Sequence, residues 1–132
     1  MIAKLQCTVI DSPDPTALAG FYATVLGWRR DADDPDWVTL TGPGGQRFAF
    51  QRVADYHPPR WPDPAHPPHF HLDFEVETRA DVERARRAVE SLGAALVHDT
   101  GGARAGFLVL TDPAGHPFCL CYGQHLAPKD PA

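Results

Sequence analysis

His71, Asp73 and Glu75 alternate with Phe70, Leu72, Phe74 and Val76. Alternation is the period of an extended strand, so the apolar set occupies one face and the polar groups the other. A histidine and an aspartate two positions apart on one face suit proton transfer: the imidazole takes or gives the proton, and the carboxylate orients it or offsets its charge. The same groups on a strand that simply meets water would do no chemistry. His69 extends the series to His69-x-His71, a pair about 7 Å apart at Cα that can chelate a metal. Pro67-Pro68 precede it, however, which favours a solvent-facing place at the strand entrance. Ala49 and Gln51 share one face of the segment 47–53, and Asp11 closes the segment 5–11 as either a site residue or a turn residue. Tyr56 and Trp61 lie in a stretch with six prolines between residues 56 and 68, where an aromatic ring can line a pocket for a planar ligand or pin the stretch to the core. Arg104, in the glycine-rich segment 100–106, can meet an anionic substrate or stay solvated.

Composition narrows what these groups can be doing. The 132 residues carry 12 basic and 17 acidic side chains, a net charge of −5, which disfavours nucleic acid as a partner. No apolar run approaches the roughly 20 residues that span a bilayer, so no membrane role is expected. Met1-Ile2-Ala3-Lys4 runs straight into an apolar alternation, leaving no room for a signal peptide. Three cysteines cannot complete a disulfide framework, and a reducing cytoplasm is the simplest setting. Arg79, Arg84, Arg86 and Arg87 stand among Asp81, Glu83 and Glu90, which reads as a solvated helical face. Gly42-Pro43-Gly44-Gly45 has no helix after it, so it is a turn rather than a phosphate loop, and no serine nucleophile elbow is present.

The elements that must position the polar groups occur twice. Segment 5–11 reads as a strand. Asp14-Pro15 opens a helix whose stripe is Leu18, Phe21, Tyr22, Val25 and Leu26, and Gly27 stops it. Gly20, inside that helix, implies close packing against a neighbour. Strands at 37–40 and 47–53 follow, joined by the glycine turn. In the second half a strand at 70–76 leads to Thr78-Arg79-Ala80-Asp81, a capping box. The helix after it has the stripe Val82, Ala85, Val89 and Leu92, and Gly93 ends it. Strands at 95–98, 107–111 and 117–122 follow, the last two joined by the turn Asp112-Pro113-Ala114-Gly115. Leu26-Gly27 and Leu92-Gly93 are 66 residues apart, half the chain length. The first half reads β-α-β-β(-β) and the second β-α-β-β-β, and two such units, each too small to bury its own sheet face, imply a shared core.

Three stretches carry a resemblance to a known family: Asp14 followed by Phe21-Tyr22-x-x-Val25-Leu26-Gly27-Trp28, then His71-Leu72-Asp73-Phe74-Glu75-Val76, then Asp112-Pro113-Ala114-Gly115-His116-Pro117-Phe118. Together they resemble the vicinal oxygen chelate superfamily, which includes glyoxalase I, bleomycin-resistance proteins and extradiol dioxygenases. The short glyoxalase-like domain proteins are the nearest match. The resemblance implies an α+β fold of paired βαβββ modules forming a cupped mixed sheet. It implies one domain over residues 1–125, with modules 4–55 and 69–123, a proline-rich crossover at 56–68 and a tail at 126–132. It also implies a homodimer, and a cavity between modules that often holds a divalent metal on four ligands, two per module. Those positions fall on Cys7, Ala49, His71 and Cys119, with Gln51 two residues beyond Ala49. Cys7, His71 and Cys119 would favour zinc. A metal-free site is favoured over it, because free cysteines are most often small buried apolar groups.

Two functional classes follow. One is an enzyme, a lyase, isomerase or ring-modifying catalyst for a small oxygenated molecule, with His71 and Asp73 catalytic and Gln51, Trp61 and Arg104 binding substrate. The other is a metal-free protein that sequesters a small aromatic or cationic compound, in the manner of bleomycin-resistance members.

Overall fold

The computed structural model describes residues 1–31 and 34–124, so the expected tail at 126–132 lies outside the described residues. The chain falls into two compact units, Met1–His57 and Pro58–Ala132, divided within the proline-rich stretch. Among the described residues no helix is long and apolar enough to cross a membrane.

The first unit runs β1 (Thr8–Ser12), α1 (Pro15–Leu26), β2 (Arg29–Arg30), β3 (Trp37–Thr41) and β4 (Arg47–Arg52). Its sheet has the order β1-β4-β3-β2, with β1 parallel to β4 and the other pairs antiparallel. Asp14 caps α1 by accepting from the Ala17 N–H at 3.2 Å, Pro15 takes the first helical position, and Gly27 closes the helix with φ 68°. Leu18, Ala19, Phe21 and Tyr22 are buried, and Tyr22 stacks on Phe50 at 5.7 Å. Burial of a large apolar side chain such as Leu18 or Phe21 stabilises the unit by about 1.5–3 kcal/mol. Phe50 therefore marks the helix-covered face of the sheet, and Val9, Asp11, Ala49 and Gln51 lie on the other. The glycine turn is a hairpin as expected, with the Gly42 N–H donating to the Gln46 carbonyl at 2.8 Å. A side chain at Gly42 would fall 2.3 Å from the Trp28 ring, so the residue permits a close approach. Gly20 faces only the end of the Arg30 side chain.

The second unit repeats the plan: β5 (Leu72–Val76), α2 (Arg79–Ser91), β6 (Ala95–Asp99), β7 (Gly106–Thr111) and β8 (Pro117–Tyr122), in the order β5-β8-β7-β6. Again the outer pair, β5 and β8, is parallel and the rest antiparallel. Thr78 and Asp81 form the expected capping box. Val82 and Val89 are buried on α2, whereas Leu92, at the helix end, is 38% exposed and is not part of the stripe. The α2 side chain Arg79 lies over the Tyr122 ring at 5.4 Å, so Phe118, Leu120 and Tyr122 face the helix. Phe74 meets Phe118 edge-on at 5.8 Å. The fold is thus α+β, two mixed four-stranded sheets with one helix each, and the two units share one topology.

Both leading strands are shorter than the alternation predicts. β1 begins at Thr8 rather than Leu5, and β5 at Leu72 rather than Phe70. A strand extends only as far as its partner. β4 starts at Arg47, just after the glycine turn, and β8 starts at Pro117, just after the Asp112–Gly115 turn. Phe70 is consequently 93% exposed instead of sharing the face of Leu72, and the His69–His71 pair does not sit on a strand. β2 is a two-residue strand that no periodicity announces. The proline-rich stretch doubles back: the Arg60 N–H donates to the His66 carbonyl at 2.7 Å, and Asp63 accepts from the Ala65 N–H at 2.8 Å.

Candidate functional site

The face of the second sheet turned away from α2 collects the unit's polar chemistry. The register pairs Asp73 with Cys119 and Glu75 with Cys121 across β5 and β8. It continues from Cys119 to Val109 on β7 and from Val109 to His98 on β6. Alternation therefore puts Asp73, Cys119, Val109 and His98 in one row across the sheet. The buried Asp112 sets where this row begins, accepting from the Ala114 and His116 N–H groups at 2.9 and 3.0 Å to close the turn before β8.

His71, one residue before β5, places Nε2 3.2 Å from Asp73 Oδ1. Ligand atoms of His71, Asp73 and Cys119 all lie within 4.8 Å of one another. The His71–Asp73 approach is an ion-pair contact, close enough for the Asp73 carboxylate to offset positive charge on the imidazole. The His71 and Asp73 side chains are 52% and 61% exposed, while Cys119 forms a buried floor. Burial pushes the Cys119 thiol up to about 12, helped by the Asp73 charge and by its hydrogen bond to that carboxylate. Burial likewise pushes Cys121 up to about 11, with Asp73 and Glu75 adding to the effect. Both are thiols at neutral pH, weak donors rather than nucleophiles.

The other expected residues are dispersed. Trp61 lies against His98, ring centroids 5.8 Å apart, so it borders the β6 edge of the same face. Three strand spacings separate that edge from Asp73, about 14 Å. Arg104 is exposed in the loop joining β6 and β7, at the Tyr122 end of the sheet. That end is about 16 Å along the strands from the level of His71, so the two are not brought together. In the first unit Gln51 donates from Nε2 to Asp11 Oδ1 at 2.9 Å, its register partner on β1. Cys7 is half-buried just before β1. Ala49 is buried opposite Val9, the row equivalent to Asp73 and Cys119 in the second unit. In this row the second unit carries a carboxylate and a thiol where the first carries two apolar side chains.

Sequence reasoning missed Cys121 and His98 on this face. The Cys119-x-Cys121 alternation beside Asp73-x-Glu75 was a usable signal for the first. It also misread Arg79 as solvated. Its guanidinium bonds both Asp99 oxygens, at 2.9 and 2.8 Å, and the Tyr122 hydroxyl at 3.0 Å, on the helix side of the sheet. Arg79 holds Asp99 down at about 2, which is a structural ion pair away from the site.

Residues 7–121 match the family model described as the glyoxalase-like domain. The chain belongs to that family, within the vicinal oxygen chelate superfamily. Solved structures share the fold. A glyoxalase/bleomycin resistance protein/dioxygenase family enzyme from Burkholderia phytofirmans is 20% identical with TM-score 0.68, over 91% of this chain and 98% of that one. A glyoxalase/dioxygenase from Nostoc punctiforme is 19% identical with TM-score 0.67, over 92% and 91%. The oxidase ChaP-H2 is 18% identical with TM-score 0.64, over 92% and 94%. No curated protein matches the chain.

The hard, oxygen-rich metal site that this superfamily implies does not fit the residues here. Ala49 offers a methyl group where a donor is needed, and the equivalent position in the second unit carries the Cys119 thiol. Six-coordinate hard ions need carboxylate, carbonyl and imidazole donors rather than these.

Proposed function

We propose that this glyoxalase-like protein moves a proton on a small oxygenated molecule held over the open face of the second sheet, the chemistry of a lyase or isomerase. The single observation that supports this most is the 3.2 Å contact between His71 Nε2 and Asp73 Oδ1. His71 Nδ1 takes a proton from a carbon next to a carbonyl or hydroxyl, and Asp73 stabilises the imidazolium that forms. The same nitrogen returns the proton at a neighbouring position, so no oxidant or co-reactant is needed. Cys119 and Cys121 keep the floor apolar and undissociated, and Trp61 with His98 supplies an aromatic border for a planar ligand.

Deuterium exchange tests this reading. Small α-hydroxycarbonyl and ortho-diol compounds are incubated with the protein in heavy water and followed by proton NMR. Wild type is expected to exchange carbon-bound hydrogen in at least one of them, and His71→Ala to lose the rate about 100-fold or more. Exchange that is absent throughout, or undiminished in His71→Ala, overturns the proposal.

A second reading, metal-free sequestration of a small aromatic compound, is favoured by the Trp61–His98 border and the loss of a donor at Ala49. It predicts aromatic-ligand affinity that survives His71→Ala and falls in Trp61→Ala. As part of the same proposal, the protein works in the cytoplasm as a homodimer of single-domain chains without nucleic-acid or membrane partners. Sedimentation and fractionation check the dimer and the compartment.

A further inference from the structure

We infer that residues 58–71 form a strap that opens and closes over the row Asp73, Cys119, Val109 and His98, latched by Trp61 at one edge of the sheet and carrying His71 at the other. The inference rests on the proton-transfer reading for what the opening serves, and it adds how the base is positioned and how substrate is admitted.

The stretch touches the row at both ends. Trp61 lies against His98 of β6, ring centroids 5.8 Å apart, and His71 Nε2 lies 3.2 Å from Asp73 Oδ1 of β5. β5 and β6 are the outer strands of the sheet, about 14 Å apart. The Arg60 N–H bond to the His66 carbonyl closes the fold-back beside Trp61. The five steps from His66 to His71 then cover about 16 Å when extended, so little slack remains. Pro67-Pro68 stiffen that span, and a displacement of one end is felt at the other.

Elsewhere the strap is held weakly. Among the described residues, the hydrogen bonds of 58–70 stay within the stretch: Arg60 with His66 and Asp63, and Asp63 with Ala65 and His66. None of residues 58–71 is buried. Pro58 fixes one end by packing on Gly115, where an added Cβ would fall 2.9 Å from the proline. Leu72, the first residue in register with β8, fixes the other. His71 stands just outside that register, so its imidazole travels with the strap rather than with the sheet. A segment with few buried contacts and an exposed backbone opens at lower cost than the strands beside it. Val109 and Cys119, in the middle of the row, are 3% and 9% exposed although they face away from α2. A substrate reaches that floor only when the face opens, and closure then returns His71 to Asp73.

The test is made by NMR on the full-length chain without substrate. In wild type the amides of Arg60, Asp63, Ala65 and His66 are expected to exchange with water far faster than those of Val109 and Cys119. Trp61→Ala is expected to speed the strap amides about 2–10-fold, the worth of a ring contact, and to leave the sheet amides unchanged. The nitrogen-15 shifts of the His71 ring should then move part of the way towards those of Asp73→Ala. Trp61→Phe should stay near wild type, and so should Trp37→Ala, a control at an exposed tryptophan of the first unit. Strap amides that exchange no faster than the sheet, or strap exchange and His71 shifts indifferent to Trp61→Ala, overturn the inference. Deuterium exchange on substrate that fails while these strap responses hold counts against the proton-transfer reading alone.

Discussion

Asp73 stands directly across from Cys119 in the parallel register of β5 and β8, and the equivalent pair in the first module is Val9 and Ala49. One topology, used twice, thus carries a carboxylate–thiol pair in one copy and two apolar side chains in the other. The polar pair sits beside His71 on the open face of its sheet, and the apolar pair has nothing to offer a ligand but surface.

The thiols on that face should be slow to react. With Cys119 held at about 12 and Cys121 at about 11, alkylation of the metal-free folded chain by iodoacetamide is expected to be slow at neutral pH. It should rise steeply only above pH 10, because the reactive species is the thiolate. Peptide mapping by mass spectrometry across pH reads each cysteine separately.

Asp99 should contribute to acid stability. Its carboxyl is lowered from 3.8 to about 2 in the folded chain by Arg79. A depressed acid contributes stability that is fully present above its unfolded value and is lost as pH falls through the folded one. The Arg79 and Asp99 side chains are 29% and 24% exposed, so solvent screening reduces the contribution to about 1–2 kcal/mol. Urea unfolding of wild type and Asp99→Asn should differ by that amount at pH 7 and converge near pH 2.

How far such contacts were legible depends on their range. Helix ends were readable, because Asp14, Pro15, Gly27, Thr78 and Asp81 act on neighbours within a turn. The Leu-Gly repeat exposed the two-module plan for the same reason. The starts of β1 and β5 were not readable, since Leu5 and Phe70 lie beyond the reach of their partners β4 and β8, which begin at Arg47 and Pro117 as the sequence suggests. Arg79 and Asp99 are 20 positions apart, across a helix and a strand, and nothing local joins them. In the site, His71 and Asp73 could be paired from alternation alone, because they stand two positions apart at the entrance to β5. Trp61 and His98 could not, since their meeting depends on the fold-back at Arg60–His66.

Trp61→Ala should act on the site border and not on the fold. The side chain is 38% exposed, so the stability cost is expected to stay near 1 kcal/mol. The His98 ring protons, relieved of the indole ring current, should shift in the NMR spectrum, and affinity for a planar aromatic ligand should fall about 10-fold.

Gly42→Ala should be among the costlier single-methyl changes. The added carbon meets the Trp28 ring at 2.3 Å, and Trp28 is itself packed on Phe48 at 5.1 Å. A loss of about 1–3 kcal/mol is expected from the urea midpoint, with the site chemistry unchanged.

The central claim is that the Asp73 carboxylate, 3.2 Å from His71 Nε2, favours the tautomer with its proton on Nε2 and its lone pair on Nδ1, and the nitrogen-15 shifts of the His71 ring measure it most directly. They are recorded on the metal-free chain at a pH where imidazole is neutral. The account predicts a protonated Nε2 and a bare Nδ1, with the preference lost in Asp73→Ala. A ring protonated on Nδ1, or a tautomer preference indifferent to Asp73→Ala, would contradict it.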